Sequence, residues 1–161
     1  MTWNKGKIIA GTLVASMALM MSGCNGMKGF NINVYDHSDK YVAGDTTYEA
    51  LGIKNIEVDW VSGGIKISQS DEETLNIDEN SDSQPDAVKV HSYVDGDTLK
   101  VKFCESGYTK KIDASYKKGE IQIPAGCNIS INTVSAPINT GDLEAKDISI
   151  NSNDGCSDKF N

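Results

Sequence analysis

Short runs of apolar residues that alternate with polar ones recur along most of this chain. They are Ile56, Val58, Trp60; Ile65, Ile67; Leu75, Ile77; Val88, Val90; Leu99, Val101, Phe103; Ile121, Ile123; Ile129, Ile131; and Ile148, Ile150. A period of two puts alternate side chains on one face of a β-strand, whereas an amphipathic helix repeats at spacings of three and four. The sequence therefore predicts an all-β domain with almost no helix, and it places Trp60 in the core.

One pair of runs predicts a β-hairpin between Val88 and Phe103. The turn is expected at Asp95-Gly96, because this dipeptide readily supplies the positive φ angles of a tight turn. We pair Tyr93 with Thr98. This register predicts a core face of Val88, Val90, Leu99, Val101 and Phe103, and a solvent face of Lys89, His91, Lys100 and Lys102.

Two internal repeats suggest how the strands stack. The segment 129–132 (ISIN) returns as 148–151 (ISIN) after 19 residues, and 61–65 (VSGGI) is echoed by 134–138 (VSAPI), where small residues would form a corner between two strands. A repeat of this length is typical of solenoid rungs. We therefore predict a single-stranded, parallel β-solenoid-like stack with hairpin elements, with a β-sandwich as the alternative.

The N-terminus has the order of a secretory leader. Lys5 and Lys7 precede an apolar stretch, residues 8–21, whose helical length of about 21 Å falls short of a hydrocarbon core of roughly 30 Å. The following Met21-Ser22-Gly23-Cys24 resembles the lipobox of bacterial lipoproteins, in which the cysteine thiol receives the lipid. We predict a signal peptide over 1–23, a lipidated Cys24 and tether over 24–30, and the β-domain over 31–161. The alternatives are an ordinary cleaved signal and an uncleaved anchor.

This arrangement predicts a protein held at the cell membrane by lipid and facing outside the cytoplasm. The formal net charge is −8. Such a surface repels nucleic acid and the anionic surface of a bilayer, so we expect no nucleic-acid partner.

The remaining cysteines are Cys104, Cys127 and Cys156, an odd number, and their pairing is left open. They are more than twenty residues apart, and no Cys-x-x-Cys occurs. We therefore expect neither a zinc site nor a redox motif.

The titratable residues give little support for catalysis. The best candidate nucleophile and base are Cys104 and His91, and both are expected on the solvent face of the hairpin. At roughly 3.3 Å per residue they lie about 13 Å apart, whereas a hydrogen bond needs about 3 Å. His37, between Asp36 and Asp39, is most simply a solvated loop residue, with a metal site as the alternative. The segment 151–155 (NSNDG) lacks the glycine and distal glutamate of an EF-hand. We predict no enzyme activity, metal or cofactor.

The hairpin also carries a small basic strip, Lys89, His91, Lys100 and Lys102, with Tyr93 beside it. On an otherwise acidic protein this strip predicts a site for an anionic glycan or wall polymer. An ordinary solvated strand face is the alternative interpretation.

Several segments resemble the bacterial "putative adhesin" domain, a domain of unknown function found on lipoproteins and envelope-stress membrane proteins. The matching segments, in order over most of the mature chain, are 41–45 (YVAGD), 56–65 (IEVDWVSGGI), 94–99 (VDGDTL), 121–124 (IQIP) and 133–136 (TVSA). The resemblance implies a β-solenoid with rungs of about twenty residues. It implies no catalytic residues, and this chain is shorter than the longer members.

Together these features predict a non-catalytic, lipid-anchored cell-envelope protein that displays a binding or interaction domain. An envelope glycan or a membrane protein is the expected partner. The alternative function is an accessory or sensor component of an envelope-stress signalling system that acts through a membrane protein.

Overall fold

The computed structural model describes residues 34–79, 81 and 83–152, and this part of the chain is all-β, as predicted. Its helical elements are three single turns of 3-10 helix, over Ser38–Lys40, Asp86–Val88 and Ala114–Tyr116. The strands are β1 (Val42–Ala43), β2 (Thr46–Glu49), β3 (Asn55–Trp60), β4 (Gly64–Gln69), β5 (Thr74–Glu79), β6 (His91–Asp95), β7 (Thr98–Lys102), β8 (Lys118–Ile123), β9 (Asn128–Thr133), β10 (Ile138–Thr140) and β11 (Asp147–Ser152).

The strands form two mixed sheets. One has six strands in the order β1–β6–β7–β3–β9–β11, and the other has five in the order β10–β4–β8–β5–β2. Inward-facing apolar side chains of both sheets belong to a single buried cluster. The two sheets therefore face each other across one core, in a sandwich-like arrangement.

The prediction of a single-stranded parallel β-solenoid was wrong. A solenoid requires successive rungs to run in the same direction, but β1–β6, β6–β7, β2–β5 and β5–β8 are antiparallel pairs. The two-residue turn between β6 and β7 reverses the chain direction, and β5 is antiparallel to β8. These reversals interrupt the stack and produce mixed sheets.

The internal repeats correctly predicted neighbouring strands. β9 and β11 are parallel and paired in register, with Ile129 opposite Ile148 and Ile131 opposite Ile150. The echoed segments also lie side by side, because Ser135 N donates to Val61 O at 2.9 Å and β10 pairs with β4 in parallel. The 19-residue spacing thus identifies a local parallel pair rather than a whole solenoid.

The hairpin forms, with a register two residues away from the predicted one. Tyr93 lies opposite Lys100, Asp95 lies opposite Thr98, and Gly96 adopts a φ of 64° in the turn. A shift of two residues preserves the face of each side chain. Leu99 and Val101 are accordingly buried, as predicted.

Trp60 lies in the core, as predicted, and is fully buried. Its ring meets Phe103 edge-on, with ring centroids 5.4 Å apart. On its other side it approaches the backbone of Gly119 in the opposite sheet so closely that a methyl group there would lie 2.8 Å from Trp60 Cη2. Trp60 therefore spans the space between the two sheets.

Several predictions concern residues outside the described part of the chain. These are the leader over 1–23, the lipobox residues Met21, Ser22 and Gly23, the lipidated Cys24 with its tether over 24–30, Cys156, and the end of the 151–155 segment. Within the described ranges, no helix is long and apolar enough to cross a membrane.

Candidate functional site

The outer face of the six-stranded sheet, turned away from the core, carries three rows of polar side chains. Alternation within each strand turns every second residue outward, and the parallel register of β3, β9 and β11 aligns these residues across the sheet. From β7 to β11 the rows are Lys102, Asp59, Asn132, Asn151; Lys100, Glu57, Ser130, Ser149; and Thr98, Asn55, Asn128, Asp147. We call these the first, middle and third rows.

The first row is a continuous network of polar contacts. Lys102 forms an ion pair with Asp59, and Asn132 Nδ2 donates to Asp59 Oδ1 at 2.8 Å. Asn151 Nδ2 then donates to Asn132 Oδ1 at 3.1 Å. These contacts hold the outward side chains of four adjacent strands in place.

The third row is partly linked in the same manner. Asn128 Nδ2 donates to Asn55 Oδ1 at 2.9 Å, and Asn55 Nδ2 donates to Asp97 Oδ1 at 3.3 Å. This series of side-chain amide hydrogen bonds ends at Asn128, since the Asp147 carboxylate accepts no hydrogen bond from the described residues.

The middle row differs from both neighbours. Within the described ranges, the side chains of Glu57, Ser130 and Ser149 take part in no hydrogen bond or ion pair. On β9 and β11, the two serines are shorter than the asparagine and aspartate side chains beside them. An open furrow of about 260 Å³ lies along the middle and third rows, lined by Asn55, Ile56, Glu57, Thr98, Asn128, Ile129, Ser130, Asp147 and Ser149.

Tyrosines cover the outer face of the six-stranded sheet at β6, on the side away from β11. Tyr35 and Tyr41 have ring centroids 4.6 Å apart, and Tyr41 lies 5.4 Å from Tyr93 on β6. Lys102 Nζ lies 5.7 Å from the Tyr35 ring centroid. Burial, reinforced by nearby carboxylates including Asp59, raises the pKa of Tyr41 to about 12. The segment that contains Tyr35 and Tyr41 therefore covers β6 and β7 and leaves the furrow open.

The structure keeps three residues of the predicted basic strip together, because His91 on β6 lies opposite Lys102 on β7 and Lys100 is the next outward residue of β7. The predicted solvent exposure of His91 was wrong, since this residue is only 8% exposed. Lys89 lies before β6, with its Nζ 2.9 Å from Asp86. Lys100 and Lys102 are adjacent on the outer face, but Lys100 pairs with Asp95 at 2.7 Å and Lys102 with Asp59. Each lysine thus has an acidic neighbour. An anionic-ligand site on this strip stays a prediction.

The expected solvent position of Cys104 was wrong. β7 ends at Lys102, so alternation stops there, and Phe103 and Cys104 are both buried. Burial raises the pKa of the Cys104 thiol to about 11. Cys127 is also a buried free thiol, and burial raises its pKa. Neither cysteine is an activated nucleophile.

No group of three His, Cys, Asp or Glu side chains within the described residues could hold a metal ion. His37, the alternative metal ligand, is exposed and adopts a left-handed backbone conformation with φ of 56°.

Sequence reasoning missed a buried ion pair between Glu79 and Lys117. The two side chains are 0% and 1% exposed. The Glu79 Oε2 atom accepts hydrogen bonds from Val90 N and Ser81 Oγ, both at 2.7 Å, and Lys117 Nζ donates to Val88 O at 2.9 Å. Sequence reasoning named Lys100 but missed the other members of the middle row, Glu57, Ser130 and Ser149. They occupy polar positions of three alternating runs, and the 19-residue repeat aligns Ser130 with Ser149.

Two solved structures are similar to this chain. One, described as a "putative cell adhesion protein" from Clostridium sporogenes ATCC 15579, aligns with a TM-score of 0.45 and 10% identity over 70% of this chain and 57% of that chain. The other, a "putative adhesin" from Bacteroides fragilis NCTC 9343, aligns with a TM-score of 0.38 and 16% identity over 67% of this chain and 57% of that chain. The chain thus spans less than two thirds of either structure. No protein-family model and no curated protein sequence matches it. Membership of the adhesin-domain family stays a prediction.

Proposed function

We propose that this protein is a non-catalytic, lipid-anchored component of the bacterial cell envelope whose β-domain binds a ligand through the furrow. The observation that carries the binding function is the middle row. Glu57, Ser130 and Ser149 line the furrow, and their side chains make no hydrogen bond within the described structure, whereas the flanking rows are hydrogen-bonded. Polar groups that converge on a depression and lack partners are typical of binding sites.

The anchoring part of the proposal is supported by the sequence. A short apolar leader ends in Met21-Ser22-Gly23-Cys24, and the domain expected to begin at residue 31 follows closely. Acyl chains on Cys24 would each bury methylenes at about 0.8 kcal/mol apiece, which is sufficient for slow release when two or three chains act together. The furrow would then operate at a membrane surface.

Binding is favoured over catalysis by the state of the candidate nucleophile and base. The Cys104 thiol is fully buried, with a pKa raised to about 11. His91 is also buried, and its Nδ1 lies 3.0 Å from the backbone carbonyl of Lys89. Neither group faces the furrow.

Metabolic labelling with a tagged fatty acid tests the anchor. We expect native protein to incorporate label and to fractionate with membranes, whereas Cys24→Ala incorporates none and moves to the soluble fraction. Cys156→Ala is the matched control and should behave like the native protein. Label retained by Cys24→Ala would contradict the proposal.

Crosslinking in intact cells tests what the displayed domain contacts. Recovery of envelope glycan with the protein supports ligand binding, and this recovery should fall in variants that fill the furrow. Recovery of one integral membrane protein in stoichiometric amount, unaffected by those variants, would favour the accessory or sensor role instead.

A further inference from the structure

We infer that the ligand of the furrow is an uncharged, hydroxyl-rich glycan chain. This inference rests on the proposed binding function and adds the chemical class of the ligand. It follows from the hydrogen-bonding capacity, charge and shape of the furrow.

The furrow lining requires hydrogen-bond donors from its ligand. Ionised Glu57 and Asp147 can only accept hydrogen bonds, and neither carboxylate accepts one from the residues that the structure describes. The hydroxyls of Ser130 and Ser149 can donate or accept. Vicinal hydroxyl groups of a sugar match this lining, because each can donate to a carboxylate while accepting from a serine.

The spacing of the two carboxylates argues against a single cationic group. Glu57 on β3 and Asp147 on β11 are separated by β9, which places them two strand spacings, about 10 Å, apart across the sheet. One ammonium group or metal ion cannot contact both. A ligand with polar groups distributed along its length can.

The charge of the furrow argues against an anionic ligand. Its charged lining residues are Glu57 and Asp147, both acidic. Lys100 lies opposite Glu57 and interacts with it electrostatically, but its Nζ also donates to Asp95 Oδ2 at 2.7 Å, and Lys102 pairs with Asp59. Carboxylates therefore outnumber ammonium groups here, and a phosphate or uronate in the furrow would meet net negative charge.

The shape of the furrow favours an extended ligand. It lies open on the sheet surface and crosses β7, β3, β9 and β11, so an extended ligand can lie across the strands. The tyrosine-covered region at β6 limits it on one side. A short segment of a linear glycan fits this trough better than a compact molecule that needs to be enclosed.

The experiment measures binding of the native full-length protein, purified in detergent, to an array of neutral and anionic oligosaccharides. The array includes maltohexaose, cellohexaose, chitohexaose and oligogalacturonate, and calorimetry follows on any that bind. We expect binding to one or more neutral chains, with a Kd that changes less than about twofold when salt is raised, since no ion pair forms.

Two variants locate the site, each with a matched control on the five-stranded sheet. Glu57→Gln should weaken binding at least about tenfold, because a hydrogen bond to a charged group is lost, whereas Glu120→Gln, an outward carboxylate on β8, should not. Ser130→Tyr should fill the furrow and abolish binding, whereas Asn139→Tyr, exposed on β10, should leave it unchanged. Circular dichroism confirms that each variant folds.

Failure to bind any neutral oligosaccharide, or equal binding by native protein and Ser130→Tyr, would overturn the inference. Salt-sensitive binding of oligogalacturonate that is lost in Lys100→Ala would point instead to the basic strip. In both cases recovery of envelope ligand in the crosslinking experiment remains an independent measurement, so the proposed function can stand when the glycan inference fails.

Discussion

At the scale of single residues, the Glu79–Lys117 pair shows how this core accommodates charge. Transfer of an isolated ion out of water costs several kcal/mol, and this cost is offset only when both ions are paired and hydrogen-bonded. Here the Glu79 carboxylate is hydrogen-bonded through one oxygen and ion-paired with the ammonium group. Lys117 Nζ also lies 4.5 Å from the Phe103 ring centroid and 5.1 Å from that of Trp60. Burial lowers the pKa of Lys117, and Glu79 opposes that shift.

Removal of one partner should therefore be costly. We expect Lys117→Met to lower the free energy of unfolding by about 3–5 kcal/mol, because Glu79 would be left buried without its counter-ion. Urea denaturation followed by tryptophan fluorescence measures this change. Lys118→Met is the matched control, since Lys118 is exposed, and it should change stability by less than about 0.5 kcal/mol. Equal stability of the two variants would show that the pair contributes nothing.

At the scale of elements, the distance between the sheets is set locally by Trp60 and Gly119. The indole projects from β3 towards β8, and the absence of a side chain at Gly119 lets the ring reach the backbone of the opposite sheet. Well-packed cores have little free space, so an added methyl group forces side chains or strands to shift.

This contact predicts different outcomes for two glycines of the five-stranded sheet. Gly119→Ala should destabilise the protein by about 1–3 kcal/mol, because its methyl group would collide with Trp60. Gly64→Ala, on the adjacent strand β4, meets nothing within 4 Å and should leave stability unchanged or slightly increased. Thermal melts of both variants provide the measurement. A Gly119→Ala melt that matches the native protein would contradict this account of the packing.

At the scale of the whole molecule, the half-buried tyrosines limit the stability of the fold at high pH. Burial is the largest cause that raises the pKa of Tyr35, Tyr41 and Tyr48. A phenol whose pKa is higher in the folded state retains its proton there after the unfolded chain has lost it. Its contribution to stability is therefore complete below the unfolded value of about 10 and is lost as pH rises towards the folded value.

We accordingly expect the free energy of unfolding to fall between about pH 10 and 12, and to fall less steeply in Tyr41→Phe. Urea denaturation at several pH values gives the slope, and ultraviolet titration should show Tyr41 ionising near its pKa of about 12. Tyr116→Phe is the control, because that side chain is 49% exposed, and it should keep the native slope. Identical slopes for all three proteins would mean that Tyr41 ionises freely in the folded state.

The periodicity of the sequence by itself determines which residues face the core and which two strands of the repeat are neighbours. A period of two fixes which side of a strand each residue faces, so the core positions of Trp60, Leu99 and Val101 were predicted correctly, even with a hairpin register shifted by two. The 19-residue repeat also identified β9 and β11 as neighbours, because equivalent residues in parallel strands pair in register.

The tertiary structure decided the remainder, because strand order depends on contacts between residues far apart in the chain. Three of the antiparallel pairings that replaced the predicted solenoid, β1–β6, β2–β5 and β5–β8, join segments that are distant in the chain. Cys104 is buried because alternation ends with β7. Glu79, the last residue of β5, meets Lys117 because β5 pairs with β8, the strand that begins at the next residue, Lys118. The furrow is assembled from four strands, between Asn55 and Ser149 along the chain, so local pattern shows that its residues face outward but does not show that they meet.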